Sequence, residues 1–200
     1  MHYFRPLYPF LLGMVLILST STFYNVAALN SLGQAVLFGL VVCIPIWRTG
    51  RMSYVDIGWP WGLVVLGITS LLYSEGYWLR SAMVSTVIIL VGLRMGLGAL
   101  KMWRLGLLDK EFPRYQYQRF VWAKEGKDNT ALALQVDAIS QGLANVSFLA
   151  FPVFIIASNS SEQFVLLEIV GLCIWMLAFV FESIADVQKV GFLKAMKKAG

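Results

Sequence analysis

Long apolar runs recur along the whole chain, and they constrain the fold more than any other feature. Of the 200 residues, 58% are hydrophobic and only 14% are charged, against about 25% charged residues in an ordinary soluble domain. Because a lipid environment leaves backbone polar groups no water to bind, segments that cross it are helices or closed barrels. Runs of this length favour helices. We therefore predict an all-α polytopic membrane bundle, with residues 1–200 forming a single membrane domain.

A transmembrane helix needs about 20 mostly apolar residues, and six stretches of the sequence approach or exceed that length. They are separated by short polar segments, apart from one long polar loop at 101–131 that also carries several aromatic residues. We predict spans over residues 7–29, 31–47, 57–73, 79–100, 132–157 and 163–181.

The basic residues are distributed asymmetrically among the loops. Nearly all of the 16 Lys and Arg residues fall at the N-terminus, after the second and fourth spans, or after the sixth span, where Lys194, Lys197 and Lys198 cluster. Because basic loops stay in the cytoplasm, both termini and the 101–131 loop are predicted to be cytoplasmic. This topology also explains the net charge of +5 without a nucleic-acid partner. It indicates residence in the bilayer of a bacterial inner membrane or the endoplasmic reticulum.

The same composition excludes several kinds of enzyme. His2 is the only histidine, which removes Ser-His-Asp hydrolases and most metalloenzymes. Cys43 and Cys173 lie inside apolar runs and are too few for a metal site. We predict buried, inert thiols and no metal.

Ionisable residues inside or beside the predicted spans are candidate functional groups, because a charge in the bilayer is costly. Asp56, Arg94, Asp137, Glu182 and Asp186 all fall near the predicted cytoplasmic ends of their spans. Glu182 and Asp186 are four residues apart and therefore share one helix face. Because like charges repel at that spacing, they need a cation or a hydrogen-bond donor between them. We predict that the five groups line a polar pocket open to the cytoplasm. Arg94, Lys101 and Arg104, which recur at helical spacing, would attract an anion such as a phosphate.

Five stretches occur in an order that resembles the DUF1295 membrane family, which is related to steroid 5-alpha-reductases and sterol C14-reductases. The resemblance covers roughly residues 50–192. The stretches are "SYVDIGWPWG" (53–62), "LRMGLGALKMWR" (93–104), "EFPRYQYQR" (111–119), "QGLANVSFLAFP" (141–152) and "GLCIWMLAFVFESIADVQKVGF" (171–192).

The resemblance implies a membrane oxidoreductase that takes NADPH from the cytoplasm and reduces a carbon–carbon double bond. Its substrate would be a hydrophobic small molecule such as a steroid, a fatty acyl chain or an isoprenoid. Asp56 and Tyr115 are the expected catalytic residues, one of which would supply a proton. The residues expected to bind the cofactor are Arg94, Arg104, Tyr115, Glu182, Asp186 and Lys189.

The sequence departs from the family pattern after "ADVQKVGF" (185–192). Family members continue into a Ser-Arg-His-Pro-Asn-Tyr-like motif, whereas this chain stops at Gly200 without an Arg-His-Pro. We therefore expect a chain that lacks the C-terminal part of the cofactor site. Two alternatives remain open: a membrane methyltransferase that uses S-adenosylmethionine, and a non-enzymatic membrane scaffold or subunit.

Overall fold

The computed structural model describes residues 3–127 and 129–199, and within these residues every regular element is a helix. The all-α prediction is therefore confirmed. His2 and the side chains of Lys194, Lys197 and Lys198, on which part of the sequence argument rested, lie outside the described part. The chain divides into two compact units, Met1–Ser160 and Ser161–Gly200, and each is described by itself. The single-domain interpretation stays a prediction.

The first unit contains eight of the described α-helices, joined by short turns and two 3₁₀ turns. A π-helical stretch, Phe38–Cys43, joins α2 to α3 without a break. The helices are α1 (Tyr8–Ser19), α2 (Tyr24–Leu37), α3 (Ile44–Thr49), α4 (Val55–Tyr73), α5 (Trp78–Arg104), α6 (Pro113–Lys124), α7 (Thr130–Val146) and α8 (Ala150–Ala157).

Among the described residues, five continuous helical stretches are long and apolar enough to cross a membrane: Tyr24–Thr49, Met52–Tyr73, Trp78–Arg104, Thr130–Ala157 and Leu166–Leu193. The chain is thus a multi-pass membrane protein. The predicted boundary between the first two spans is wrong. The chain breaks at Thr20, where the backbone turns extended, and not near residue 30.

Hydroxyl residues cluster at the observed boundary, at positions 19–22. Ser19 and Thr20 donate to the carbonyls of Val15 and Leu16, at 2.7 and 3.0 Å. Ser31 makes the same kind of bond to the Ala27 carbonyl at 2.7 Å inside an unbroken helix. A single hydroxyl is therefore compatible with helix continuation, and the first helix ends where four of them follow one another.

Although α1 is short, the segment that contains it runs the length of α7 and α8. The Tyr3 hydroxyl accepts a hydrogen bond from the Asn129 amide at 3.0 Å, just before α7 begins. Gly13 packs against Ser147, and the Phe23 and Phe154 rings lie 6.3 Å apart near the end of α8. The first unit therefore holds five segments that run between the same two ends.

Both ends of the first unit can be identified from contacts between loops. At one end, Arg51 reaches the carbonyls of Leu108 and Asp109 at 3.3 and 2.9 Å. At the other, the Tyr77 amide donates to Asn159 at 2.9 Å. We call the first the basic end, because it carries nearly all the Lys and Arg residues of this unit. That it faces the cytoplasm stays a prediction.

Glycines allow α4 to approach its neighbours closely. A Cβ on Gly92 would lie 2.7 Å from the Pro60 carbonyl, and one on Gly58 would lie 2.1 Å from Val42. Helices pack this closely in membranes through van der Waals contact, since lipid supplies no hydrophobic drive between them. These contacts hold the N-terminal half of α4 in the middle of the unit.

Amide side chains join three helices at the centre of the first unit, and the sequence analysis missed them. We call Asn30, Gln34 and Asn145 the amide cluster; all three are at most 2% exposed. Gln34 donates to the Gly62 carbonyl at 2.7 Å, and Asn145 donates to the Trp59 carbonyl at 3.1 Å. The cluster thereby ties α2 and α7 to α4.

The second unit is dominated by one long helix, α9 (Leu166–Ala199). At about 1.5 Å per residue, it is longer than the roughly 30 Å hydrocarbon core of a bilayer. The predicted span ended at residue 181, but the helix continues through Glu182 and Asp186 without a break. The two acids lie one turn apart on one face of α9, as their spacing requires.

Candidate functional site

Asp56 lies in the first turn of α4, at the basic end. Its position follows from the sequence, because a carboxylate near a helix N-terminus is stabilised by the helix dipole. The side chain is 20% exposed, so it sits below the surface without being sealed from water. An acid in this position needs partners that compensate its charge.

Two residues at the start of α6 supply these partners, and we call Asp56, Arg114 and Tyr115 the Asp56 cluster. Arg114 forms a close ion pair with Oδ1 of Asp56. The Tyr115 hydroxyl donates to Oδ2 at 3.2 Å, and Arg114 lies 3.4 Å from that hydroxyl. The structure thus brings the two predicted catalytic residues together, about sixty residues apart in the sequence, and places the Arg114 cation beside them.

The surroundings of this cluster shift the acidity of its members. Burial raises the pKa of the Tyr115 hydroxyl, the Asp56 carboxylate raises it further, and Arg114 only partly offsets both. Burial would lower the pKa of Arg114, but Asp56 and Tyr115 outweigh that effect and raise it. Tyr115 therefore keeps its proton, and Arg114 its charge, throughout the physiological range.

Glu111 holds the segment before α6 against the start of α4. Its carboxylate accepts from the Met52 amide at 3.1 Å and from the Ser53 hydroxyl at 3.3 Å. Arg119 pairs with the same carboxylate at 2.7 Å and also donates to the Gly50 carbonyl. Because orphan amides at a helix N-terminus need acceptors, Glu111 caps the 3₁₀ turn Met52–Tyr54, which leads directly into α4, from a distant part of the chain. The motif "EFPRYQYQR" contained this residue, but nothing in its spacing predicted its partner.

Arg94 does not join the Asp56 cluster. On α5, Gly92 packs against α4 and Gly96 against Trp61. Arg94 is two residues from each, so at about 100° per residue it projects from the opposite side of the helix. Arg104 is exposed at the basic end of α5, about 15 Å along the helix from Arg94.

The other predicted ligands belong to the second unit. Glu182, Asp186 and Lys189 are carried by α9, which is described by itself. Their assignment to a cofactor, and that of Arg94 and Arg104, stays a prediction.

Asp137 is the remaining charged residue of the predicted pocket, and it lies among different residues from Asp56. It lines a cavity of about 210 Å³ between the N-terminal segment, α6 and α7, together with Tyr3, Trp122 and Lys127. Lys127 pairs with Glu125 at 2.8 Å. Within the described part of the first unit, Asp56 and Asp137 therefore lie at the same end but have different partners. The prediction that all the charged groups share one pocket does not hold for these two.

Comparison with known proteins places the chain in a family. The DUF1295 family, described as proteins of unknown function, matches residues 41–200. No curated protein and no solved structure matches the chain. The match begins before and ends after the region of resemblance noted in the sequence. It includes the Asp56 cluster, Glu111 and α9. The chain belongs to the DUF1295 family.

Proposed function

We propose that the protein is a membrane reductase that uses NADPH to saturate a carbon–carbon double bond in a hydrophobic, lipid-like substrate. One observation carries the proposal: a protonated tyrosine, hydrogen-bonded to a carboxylate and flanked by an arginine, stands at the polar end of a membrane bundle. A proton donor of this kind is what the second half of an alkene reduction requires. The membrane would be a bacterial inner membrane or the endoplasmic reticulum.

The chain carries chemical groups that suit the cofactor. Lys101, Arg104 and Lys110 are exposed at the basic end and match the charge of phosphates. Glu182 and Asp186 offer acceptors for hydroxyl or amide groups. The cavity beside Asp137 is smaller than the roughly 300–1,000 Å³ of typical ligand sites, so it is not offered as the cofactor's site.

In the proposed reaction, bound NADPH supplies the hydride. Tyr115 holds the matching proton on its hydroxyl oxygen and delivers it to the other carbon of the alkene. The Arg114 guanidinium offsets the negative charge left on the tyrosine oxygen, and Asp56 orients the hydroxyl. Tyr115 and Trp59 both pack against the buried apolar cluster that contains Val55 and Trp122, and this packing limits the access of water to the hydroxyl. The tyrosine regains a proton from the aqueous end of the bundle.

Binding and turnover test the proposal separately. The full chain in lipid nanodiscs should bind NADPH in preference to S-adenosylmethionine. Asp186→Asn should weaken NADPH binding by about 1.5–3 kcal/mol, the strength of a hydrogen bond to a charged group. Glu168→Gln, at the other end of α9, is the matched control and should leave affinity unchanged. Preference for S-adenosylmethionine would favour the methyltransferase, and binding of neither nucleotide would favour the scaffold or a reductase fragment without the C-terminal part of its cofactor site.

Turnover is best followed with NADPH deuterated at the transferred position. Membrane lipids incubated with the nanodiscs should contain a product heavier than its alkene by one deuterium and one hydrogen, detected by mass spectrometry. Tyr115→Phe should reduce this gain by about 10²- to 10⁴-fold, a larger loss than any change in NADPH affinity. A product that forms equally well in Tyr115→Phe would remove the tyrosine from the reaction.

A further inference from the structure

Helix α6 turns an aromatic face away from the rest of the first unit. Its inward face carries Tyr115, Arg119 and the buried Trp122. The opposite face carries Tyr117 and Phe120, which are 67% and 54% exposed. A helix that borders water carries charged residues on its outer face. Here the two outward rings lie side by side with their centroids 6.4 Å apart, which forms a compact apolar surface.

Two contacts place this face at the level where lipid headgroups begin. Arg119 bonds the carbonyl of Gly50, which directly follows the membrane-length stretch Tyr24–Thr49. Arg114 pairs with Asp56 in the first turn of α4. Trp47 and Trp103, near the ends of their own helices, are 78% and 53% exposed at the same end. Exposed aromatic residues at one level are typical of the membrane–water interface.

The charge around the face favours an anionic occupant. The Lys124 ammonium group lies 4.4 Å from the centre of the Phe120 ring, on the same outward side of α6. Exposed basic side chains at this end would also attract negative charge. They are Arg48, Lys101, Arg104, Lys110 and Arg114.

We propose that the outward face of α6, formed by Tyr117, Phe120 and Lys124, binds anionic phospholipid headgroups of the bilayer that holds the protein. The two rings enter the boundary between headgroups and acyl chains, as in interfacial helices, and Lys124 meets a headgroup phosphate. Because the inward face of the same helix holds the Asp56 cluster, anionic lipid also favours the arrangement in which Arg114 and Tyr115 reach Asp56.

Labels on single cysteines test the depth of α6. With Cys43→Ser and Cys173→Ala as background, spin labels are attached at Tyr117→Cys, Phe120→Cys or Gln116→Cys, and the full chain is placed in nanodiscs of phosphatidylcholine and phosphatidylglycerol. Labels at 117 and 120 should be accessible to oxygen and protected from a water-soluble relaxation agent. The label at 116, on the flank of the helix, should remain more accessible to water. Labels at 117 and 120 that are as accessible to water as 116 would overturn the proposal and assign the face to a soluble protein partner.

The charge preference is tested in detergent solution with short-chain lipids. An environment-sensitive fluorophore at 117 reports binding, and phosphatidylglycerol should bind more tightly than phosphatidylcholine. Lys124→Gln should weaken phosphatidylglycerol binding about fivefold, the counterpart of about 1 kcal/mol for one basic side chain near a membrane surface. Lys101→Gln, which removes the same charge from α5, should have a smaller effect. Equal affinity for the two lipids, or an equal loss in the two variants, would overturn the proposal.

Discussion

The amide cluster and the Asp56 cluster use polar side chains in opposite ways. Asn30, Gln34 and Asn145 are neutral, at most 2% exposed, and bonded to backbone carbonyls and to one another. The Asp56 cluster is charged and reaches the surface through Arg114, which is 61% exposed. Because charge is far more costly than a neutral amide in an apolar interior, the charged group stands at the end of the unit and the neutral group at its centre.

The comparison indicates a division between packing and chemistry. The amide cluster joins three helices in one register and leaves little free space, since a Cβ on Gly62 would lie 2.1 Å from the Asn145 amide nitrogen. The Asp56 cluster joins helix α4 to a surface helix and holds the Tyr115 proton near the aqueous end of the unit. Mutations in the first should therefore change stability, and mutations in the second should change activity.

The largest expected effect concerns Tyr115→Phe. Loss of a positioned proton donor should lower turnover by about 10²- to 10⁴-fold, while the missing hydrogen bond costs only about 0.5–1.5 kcal/mol of stability. Turnover of deuterated NADPH and thermal unfolding in the same nanodiscs measure the two quantities. Tyr117→Phe is the matched control, because that hydroxyl lies outside the Asp56 cluster. A large loss of stability with unchanged turnover would reverse the proposed division.

The next effect tests the close packing of the amide cluster. Gly62→Ala should destabilise the protein by about 1–3 kcal/mol, because the new methyl group displaces Asn145 and Gln34. Chemical unfolding in mixed micelles measures the loss. Gly98→Ala is the matched control on α5: its Cβ would meet no heavy atom within 4 Å, so a neutral or slightly stabilising change is expected. Equal destabilisation in both variants would contradict the role of the cluster.

A smaller effect is expected at Glu111. Glu111→Gln removes the charge that pairs with Arg119 and weakens the cap on the 3₁₀ turn before α4, which should cost about 0.5–2 kcal/mol. Hydrogen exchange should rise at the Met52 amide, whose hydrogen bond Glu111 accepts, before it rises in α4. Glu125→Gln, an exposed acid after α6, serves as the control. Unchanged exchange at Met52 would show that Glu111 does not cap this turn.

A double-mutant cycle measures how strongly two members of the amide cluster stabilise each other. Gln34→Leu, Asn145→Leu and the double variant should give a coupling free energy of about 0.6–1.7 kcal/mol, between the average and the maximum found for hydrogen bonds between membrane helices. The two side chains meet at 3.4 Å. A coupling near zero would mean that each amide acts only through its backbone partner.

The smallest expected effect is a shift in the pH at which the Tyr115 hydroxyl loses its proton. The raised pKa of Tyr115 means that folding favours the protonated hydroxyl. The resulting stabilisation is complete below the ordinary tyrosine pKa of about 10 and is lost as the pH rises through the higher folded value. Alkaline pH should therefore destabilise the wild type more than Tyr115→Phe. The ultraviolet difference spectrum of the two should show a phenolate that appears later than that of an exposed tyrosine.

The class of fold, the family and the asymmetry of charge could all be predicted from the amino-acid sequence. Apolar runs of this length have few stable arrangements besides membrane helices, so the helical fold follows from composition and periodicity. Gly92 and Gly96 are four residues apart, so helical periodicity alone puts them on the one face of α5 that meets α4.

Which distant residues meet became clear from the folded structure alone. Helix α1 ends at Ser19, where hydropathy predicted a continuous span. Asp56 and Tyr115 were both candidates, yet their contact, and the insertion of Arg114 beside them, depends on how the segment before α6 returns to α4. Glu111 and Arg119 fix that return. Contacts between residues sixty positions apart depend on side-chain geometry in three dimensions, which no local pattern in the sequence encodes.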